Sequence, residues 1–314
     1  MIVTMKNLIA SRLREGKLKE AGRHLYYRMF NGLHRLNRWI DSIESGETDE
    51  EILISMKNGL RLFLPANREP SGQYTVNRES REFRYGCLRK LNKLRQIDID
   101  RYSAALSIVK TVFVDRTYER DRRLRSGDLI VDCGANVGVF CLYAARVVGP
   151  RGRVIAIEPE PNNLHILERN IRLNNLTWCH IVPVGLWDRR GTADLFSGPD
   201  SGSHTMIEKN TSSVRVPVDT LPNILDNLGI GAVKFIKMDI EGAEIRAIAG
   251  MTDFLEHHRP PLAIESFHRV NGQPTHQILG PVFWKIGYTV HIVDGYLYAR
   301  TETVTGDGER DGSH

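Results

Sequence analysis

The sequence predicts an α/β fold with a mostly parallel sheet, helices on both faces and a helical N-terminal region ahead of it. An apolar run at 129–133 breaks into a glycine-containing turn and resumes as a helix near residue 138. A second apolar run at 153–158 ends in a carboxylate, and strands and helices then alternate as far as residue 286. The opening β-turn-α-β unit is therefore that of a Rossmann-like, nucleotide-binding sheet.

Apolar runs bounded by turn residues predict the strands, and longer stretches of helical periodicity predict the helices. Parallel strands are expected at 129–133, 153–158, 179–186, 233–240 and 261–267. Helices are expected from about 138, from about 161, and over 219–229, 243–257 and 273–286. Asp294-Gly295 predicts an antiparallel edge hairpin of 288–293 with 296–300. Two further β segments, 191–196 and 214–218, flank a polar loop over 197–213.

The chain ahead of residue 111 is expected to form two regions. Residues 1–44 predict a basic amphipathic helical arm, helical from residue 5, whose first 40 residues carry nine Lys or Arg against two Glu. Residues 45–110 predict an accessory region with a hairpin of 52–56 and 60–64 around Asn58-Gly59, followed by basic helical sequence over 81–125. Residues 111–300 form the predicted catalytic domain, and the polar tail 301–314 predicts disorder.

Composition excludes several classes of protein. Hydrophobic content of 41% and charged content of 26% are ordinary for a soluble globular protein. No apolar run approaches the roughly 20 residues of a spanning helix, and the N-terminus lacks a signal-peptide pattern. The four cysteines lack zinc-like spacing, which indicates reduced thiols in a cytoplasmic protein. The basic arm would suit peripheral contact with an anionic membrane or an acidic partner, or packing on its own domain.

The glycine spacing decides between nucleotide ligands. A dinucleotide fingerprint that starts at Gly134 requires glycines at 136 and 139, but Asn136 and Val139 stand there. The pattern present is Asp132-x-Gly134-x-Asn136-x-Gly138, with Glu158 closing the next strand. Glycines let a ligand approach the backbone and the exposed N–H groups at the start of the helix. A nucleoside-containing cofactor is therefore predicted, and a dinucleotide is excluded.

Chemistry is expected where the strands end, because ligands of open α/β sheets bind outside the carboxyl ends of the strands. The predicted ends carry Gly185 and Leu186 on the third strand, Asp239 with Glu241 on the fourth, and Glu265 with His268 on the fifth. Lys237 and Asp239 share one face of the fourth strand, since side chains alternate. Such charges on a buried strand are costly unless they pair or meet a ligand, which leaves a functional site or a structural ion pair as the two interpretations.

Five segments resemble the FkbM-type family of S-adenosylmethionine (SAM) dependent methyltransferases. They are DLIVDCGANVG, AIEPEPNNLHILERNIRLNN, VDTL, FIKMDIEGAEIRAIAGM and PLAIESFH, and the resemblance covers roughly residues 110–295. It implies a class I methyltransferase fold with a seven-stranded sheet. It also implies transfer of the SAM methyl group to an oxygen nucleophile, usually a hydroxyl on a sugar, glycan or other small metabolite.

The resemblance also assigns site residues. Gly134, Asn136 and Gly138 would hold the methionine end of SAM, Glu158 its ribose, and Asp239 would lie beside the transferring methyl group. The full expected cofactor set is Asp132, Gly134, Ala135, Asn136, Gly138, Glu158, Pro159, Gly185, Leu186 and Asp239. Tyr118-Glu119 resemble the Tyr-Glu pair ahead of the family's first strand, where a helix could lay polar groups over the cofactor mouth. The expected substrate contacts are Tyr118, Glu119, His204 and Glu265.

A hydroxyl acceptor must lose its proton, and the hypothesis is that Asp239, Glu241 or His268 takes it. Lys237 completes the predicted catalytic group. No metal is expected, although a divalent ion held by Asp239, Glu241 and Glu265 is an alternative. Two other functions stay open: an RNA or protein methyltransferase that uses the basic segments, and a SAM-binding scaffold without catalysis. Nucleic acid is not the expected partner, and the sequence does not predict the oligomeric state.

Overall fold

A computed structural model describes Leu36 and residues 38–48, 50–66, 103–196 and 213–301. Several predictions lie outside these residues: the arm up to residue 35, helical sequence over 81–102, the loop 197–212 with His204, and the tail from residue 302. No helix within the described ranges is long and apolar enough to cross a membrane.

The described elements begin with a small antiparallel sheet and continue as an α/β unit. The strands are β1 Ile40–Ser45, β2 Glu51–Met56, β3 Arg61–Pro65, β4 Leu129–Cys133, β5 Arg153–Ile157, β6 Cys179–Val182, β7 Gly185–Leu186, β8 Gly191–Phe196, β9 Ser213–Asp219, β10 Phe235–Met238, β11 Leu262–Glu265, β12 Arg269–Val270, β13 Gln273–Pro274, β14 Thr289–Val293 and β15 Tyr296–Arg300. The helices are α1 Ser103–Val109, α2 Val139–Val148, α3 Pro161–Leu173, α4 Leu221–Asn227, α5 Glu244–Ala249, α6 Thr252–His258 and α7 Thr275–Lys285. A π-helical turn at Lys110–Val114 and a 3-10 turn at Thr117–Glu119 lie between α1 and β4.

The central sheet has seven strands in the order β14-β15-β11-β10-β4-β5-β6. Pairing is parallel from β11 across to β6, whereas β15 is antiparallel to both β11 and β14. This order confirms the class I methyltransferase fold, with a mostly parallel seven-stranded sheet. The carboxyl ends of β4, β5, β10 and β11 meet at one edge of the sheet, and this is where the site forms.

Two apolar layers cover the faces of the central sheet. One contains Ile130 and Phe235 and packs against α2 and the N-terminal sheet, and the other contains Ile236 and Met238 and packs against α5 to α7. Alternate residues of β10 therefore enter opposite layers, as expected for a strand that is buried on both faces. Lys237 falls on the face of Phe235, as the predicted alternation requires.

The N-terminal sheet β1-β2-β3 packs against α3. The hairpin predicted around Asn58-Gly59 is confirmed as β2 and β3. The helix predicted up to residue 44 is wrong at its end, because Ile40–Ser45 pairs with β2 as an antiparallel strand and Ile43 faces the core. Arg169 on α3 forms an ion pair with the buried Glu51 at 2.8 Å. This contact fixes the sheet to the α/β unit.

Three further element predictions are corrected. The strand predicted over 179–186 divides at Pro183, which lacks an N–H: β6 ends the central sheet, while β7 pairs with β9 in a separate sheet. The helix predicted over 243–257 breaks at Gly250, where a Cβ would lie 2.5 Å from the carbonyl oxygen of Trp187. The helix predicted up to residue 125 ends by Glu119, since no helical segment follows before β4.

Candidate functional site

A cleft opens at the carboxyl ends of β4, β5 and β10, with β7 along one side. It gathers most of the residues expected to hold a cofactor, together with Glu241 from the expected catalytic group. The lining residues are Gly134, Asn136, Ile157, Glu158, Pro159, Asn163, Val184, Gly185, Leu186, Leu195, Asp239, Ile240 and Glu241. Asp132, Ala135 and Gly138 do not line it.

Gly134 brings the turn after β4 against the turn after β10. Its φ is +74°, and a Cβ there would lie 1.9 Å from the carbonyl oxygen of Asp239. No other residue fits this contact, since both the backbone conformation and the space exclude a side chain. Gly138, at φ +93°, precedes α2, and a Cβ there would lie 2.6 Å from Leu167. The glycines therefore set the distance between the two strand ends and the packing of α2 on α3.

Glu158 joins the loop after β5 to the same turn. Its Oε2 accepts a hydrogen bond from the Asn136 N–H at 2.8 Å, and its Oε1 accepts one from the Glu160 N–H at 2.9 Å. Burial raises the pKa of Glu158 to about 7, although these hydrogen bonds work in the opposite direction. Each carboxylate oxygen can accept more than one hydrogen bond, so Glu158 keeps acceptor capacity toward the cleft.

Lys237 does not line the cleft, although it was predicted to be catalytic. Its Nζ lies 3.1 Å from Oδ1 of the fully buried Asp132 and donates a hydrogen bond to the Gly134 carbonyl at 2.8 Å. Burial disfavours the charge, but Asp132 and Asp239 outweigh it and raise the pKa of Lys237. The ammonium stays charged and holds the glycine turn from behind. Of the two interpretations of the charged strand, the ion pair therefore applies to Lys237.

Asp239 and Glu265 end neighbouring strands and bring their carboxyl groups together. Oδ2 of Asp239 accepts a hydrogen bond from the Tyr118 hydroxyl at 3.3 Å, and Oε1 of Glu265 accepts one from the Tyr296 hydroxyl at 2.7 Å. Burial and the charge of Asp239 raise the pKa of Glu265 well above its ordinary range. Burial also opposes the charge of Asp239, but Lys237 lowers its pKa. Asp239 therefore carries the negative charge of the pair.

Glu241, which lines the cleft, forms a second pair with His268, which does not. Nε2 of His268 lies 3.0 Å from Oε2 of Glu241, and its Nδ1 lies 3.6 Å from Oε1 of Glu244. Burial disfavours an imidazolium, but the neighbouring carboxylates of Glu241 and Glu244 raise the pKa of His268 to about 12. A histidine that already holds its proton is a poor base. Burial raises the pKa of Glu241, despite the opposing effect of His268.

The turn after β10 places Glu241 by an unusual backbone conformation. The strand ends at Met238, and Glu241 adopts φ +53°, so it does not continue the strand alternation that the sequence indicated. Glu244, with no exposed surface, accepts hydrogen bonds from the Ile240 and Gly242 N–H groups. A non-glycine residue with positive φ stores strain, and such strain is common at functional sites. Glu244 thus fixes the turn that presents Glu241 to the cleft.

Tyr118 and Glu119, neighbours in a 3-10 turn, contact different parts of the protein. Tyr118 reaches Asp239, whereas the Glu119 carboxylate accepts hydrogen bonds from the Leu124 N–H at 2.8 Å and from the Tyr143 hydroxyl. Glu119 is 3% exposed and does not reach the cleft, which corrects its expected place over the cofactor mouth. Adjacent side chains of a tight helical turn diverge because of their angular spacing.

Sequence reasoning missed Tyr296 and Asn163. Tyr296 reaches Glu265 because the two residues are direct neighbours in the antiparallel pairing of β15 with β11, a register that the sequence does not encode locally. Asn163 lies in the first turn of α3, and its side chain donates a hydrogen bond to Glu158 at 3.4 Å. The acidic cap Glu160 with Pro161 was the local signal for that helix start.

Comparison with known proteins adds a family and several relatives. Residues 132–290, about half of the chain, match the model of the methyltransferase FkbM domain. Methyltransferase sdnD of Sordaria araneosa is 29% identical over 179 residues, which cover 46% of this chain and 68% of that protein. The 31-O-demethyl-FK506 methyltransferase FkbM of Streptomyces tacrolimicus is 27% identical over 231 residues, which cover 62% of this chain and 86% of that protein.

Solved structures resemble the chain more loosely. The methyltransferase FkbM of Methylobacillus flagellatus KT is 22% identical with a TM-score of 0.42, and the match covers 63% of this chain but only 54% of that one. Aeropyrum pernix fibrillarin with natively bound SAM is 11% identical with a TM-score of 0.40, covering 83% of this chain and 97% of that one. The fold assignment rests on the strand order of the central sheet rather than on these superpositions.

Proposed function

Because the chain belongs to the FkbM methyltransferase family, we propose that it transfers the methyl group of SAM to a hydroxyl oxygen of a sugar, glycan or other small molecule. The family match supplies the reaction class. The choice of an oxygen acceptor is supported by carboxylates at the cleft, which suit removal of a hydroxyl proton. The relative from Streptomyces tacrolimicus is named for an O-demethylated substrate, which agrees with this choice.

The residues of the cleft fit SAM. Gly134 leaves backbone exposed where a side chain cannot stand, so the methionine end can approach the turn. Glu158 has acceptor capacity for the two ribose hydroxyls in addition to its two backbone donors. Asp239 lies on the cleft with an ionised carboxylate, which favours a positively charged sulfonium nearby. These contacts would orient the donor.

Alignment and proton removal are the two tasks left to the protein. When bound, SAM supplies an electrophilic methyl group: the acceptor oxygen forms the new O–C bond as the C–S bond breaks, and the bonding pair stays on sulfur. Holding donor and acceptor in line contributes of order 7–11 kcal/mol in favourable cases. A base that removes the hydroxyl proton adds roughly 10²- to 10⁴-fold in rate.

We assign the base to Glu241, and one observation carries the assignment. Of the titratable groups expected to be catalytic, Glu241 and Asp239 line the cleft, and the pKa of Glu241 is raised whereas that of Asp239 is lowered, while Lys237 and His268 hold their protons. A raised pKa makes a carboxylate a better proton acceptor. The acceptor proton passes to Glu241, and the ion pair with His268 keeps the carboxylate oriented toward the cleft.

Methyl transfer from deuterium-labelled SAM to a panel of hydroxylated small molecules, followed by mass spectrometry, tests the proposal. We expect an ether product, and we expect Glu241→Gln to lose at least about 10²-fold in turnover while its affinity for S-adenosylhomocysteine (SAH) by calorimetry stays close to wild type. Wild-type turnover by this variant would remove Glu241 as the base. SAH binding without methyl transfer to any hydroxyl would indicate a SAM-binding scaffold. Methyl transfer to RNA or protein alone would show that the acceptor is a macromolecule and not a small molecule.

A further inference from the structure

Three ligand-type side chains converge next to the proposed base. Asp239 follows β10, Glu265 ends β11, and His268 lies in the loop after β11. Each offers one ligand atom, and these atoms all lie within 4.8 Å of one another. We propose that Asp239, Glu265 and His268 bind a divalent first-row metal ion that holds the acceptor oxygen for methylation. This inference rests on the proposed function.

Atoms without hydrogen-bond partners face this cluster. Within the described part of the chain, Nδ1 of His268 makes no hydrogen bond, and Oδ1 of Asp239 has no partner other than the neighbouring Glu265 carboxyl. Both atoms are buried, and buried polar atoms nearly always have a partner. An unpaired nitrogen on one member of the cluster, beside a contact between the carboxyl groups of the other two, points to a ligand between the side chains.

The other polar atoms of the three side chains are already held. The Tyr118 hydroxyl donates to Oδ2 of Asp239, the Tyr296 hydroxyl donates to Oε1 of Glu265, and Glu241 lies 3.0 Å from Nε2 of His268. Metal ligands are typically oriented in this way by hydrogen bonds from a surrounding shell, most often with a carboxylate on the second nitrogen of a histidine.

The charges around the cluster favour a cation. Carboxylates outnumber cationic groups among the buried and half-buried residues here: Asp132, Asp239, Glu241, Glu244 and Glu265 face Lys237 and His268. Packing like charges in a dry site is costly. A divalent ion offsets the repulsion between these carboxylates more completely than a single proton on Glu265 does. On binding, it displaces the protons that Glu265 and His268 otherwise hold.

The chemistry of the three ligands narrows the choice of metal ion. Two carboxylates with one imidazole suit Mn²⁺ or Fe²⁺, whereas Mg²⁺ and Ca²⁺ prefer oxygen ligands alone and thiolates are absent from the cluster. Three protein ligands leave coordination positions open, and Asp239 borders the cleft. A hydroxyl bound in an open position is acidified by the ion, and its proton passes to Glu241 before the O–C bond forms.

Binding of Mn²⁺ to the chelator-treated full chain, with SAH present and no acceptor, tests the site without any turnover. Free Mn²⁺ is followed by electron paramagnetic resonance. We expect one tight site in the wild type, at least about tenfold weaker binding in Glu265→Gln and His268→Ala, and about tenfold weaker binding in Tyr296→Phe, which loses only an orienting hydrogen bond. Asp194→Asn is the matched control, because this exposed carboxylate pairs with Arg215, belongs neither to the cleft lining nor to the cluster, and should leave Mn²⁺ binding as in the wild type.

Circular dichroism and SAH calorimetry identify any variant that fails to fold. If Glu265→Gln or His268→Ala fails to fold, the Mn²⁺ affinity of Tyr296→Phe is compared with that of the wild type instead. Absence of tight Mn²⁺ binding to the wild type, or equal affinity in all the folded variants, overturns the site, and Asp239 and Glu265 then share a proton instead. Methyl transfer that survives chelation also overturns it and leaves the proposed function intact. Tight Mn²⁺ binding that needs Glu265 and His268, without transfer to any hydroxyl, keeps the site and removes the O-methyltransferase.

Discussion

Lys237 and Asp132 are direct neighbours on the parallel strands β10 and β4, and their side chains form a buried ion pair of 3.1 Å. Their exposed fractions are 4% and 0%. A buried pair compensates for lost hydration only with additional hydrogen bonds. Lys237 finds one at the Gly134 carbonyl, and the Tyr118 ring lies 5.5 Å from its Nζ. The pair thereby ties the cofactor turn to the strand that ends in Asp239.

Replacement of Lys237 by Met should destabilise the protein strongly. It leaves the Asp132 carboxylate buried without a partner, which costs about 3–5 kcal/mol in free energy of unfolding. Urea denaturation followed by circular dichroism measures this loss. The double variant Lys237→Met with Asp132→Asn removes both charges and should recover a large part of it. If the double variant is no more stable than the single one, the two side chains are not coupled.

Replacement of Gly134 by Ala should cost far more stability than replacement of Gly127 by Ala. Both glycines have positive φ, +74° and +84°, so either change introduces backbone strain of about 1–2 kcal/mol. Only Gly134 also meets a backbone atom, the Asp239 carbonyl, whereas nothing lies within 4 Å of a Cβ at Gly127. We expect a total of roughly 3 kcal/mol or more for Gly134→Ala in urea denaturation. Equal losses of stability in the two variants would mean that the backbone around Gly134 moves to accommodate the added methyl group without cost.

The sequence predicts the sheet well because its evidence is local. Each apolar run of β4, β5, β10 and β11 is bounded by turn residues, and side-chain alternation places Lys237 on the face opposite Met238. Strand ends then identify Asp239 as a cleft residue without knowledge of any neighbour.

Pairing between distant residues is what the sequence leaves undetermined. The partner of Lys237 depends on the register of β10 against β4, and the contact of Tyr296 with Glu265 depends on the register of β15 against β11. Neither register leaves a local signal. The direction of Glu119 likewise follows from a 3-10 turn that ends the expected helix early. Sequence alone therefore identifies many of the residues that line the cleft, but not the partners that set their charge.

Asn170 in α3 and Asn174, which caps the C-terminal end of α3, bind the outer edge of β3, and they should differ in their effect on stability. Asn170 accepts from the Phe63 N–H and donates to the Phe63 carbonyl, while Asn174, one turn later, makes the same pair of contacts with Arg61. Asn170 has no exposed surface and also donates to the Val137 carbonyl within the glycine turn. Asn174 is closer to solvent, where water can replace lost hydrogen bonds.

We therefore expect Asn170→Ala to cost about 2–4 kcal/mol, because buried backbone groups lose their partners, and Asn174→Ala to cost under about 1 kcal/mol. Thermal and urea unfolding measure both. Limited proteolysis near the hairpin of β2 and β3 should also accelerate in Asn170→Ala alone. Equal stability of the two variants would show that burial does not decide the strength of this edge contact.

Glu158 should make SAM binding depend on pH near neutrality. Burial raises the pKa of its carboxyl to about 7 in the protein without ligand. Ribose hydroxyls donate to the ionised form, and the ionised fraction falls as the pH drops through this pKa. Affinity should therefore fall about tenfold between about pH 8 and about pH 6, as measured by calorimetry with SAH. Glu158→Gln should bind more weakly at the higher pH and show a flat profile over this range. If the pH dependence of SAH affinity seen in the wild type persists in Glu158→Gln, another group is responsible for the titration. If the affinity of the wild type does not change with pH, binding of the ribose does not depend on the charge of Glu158.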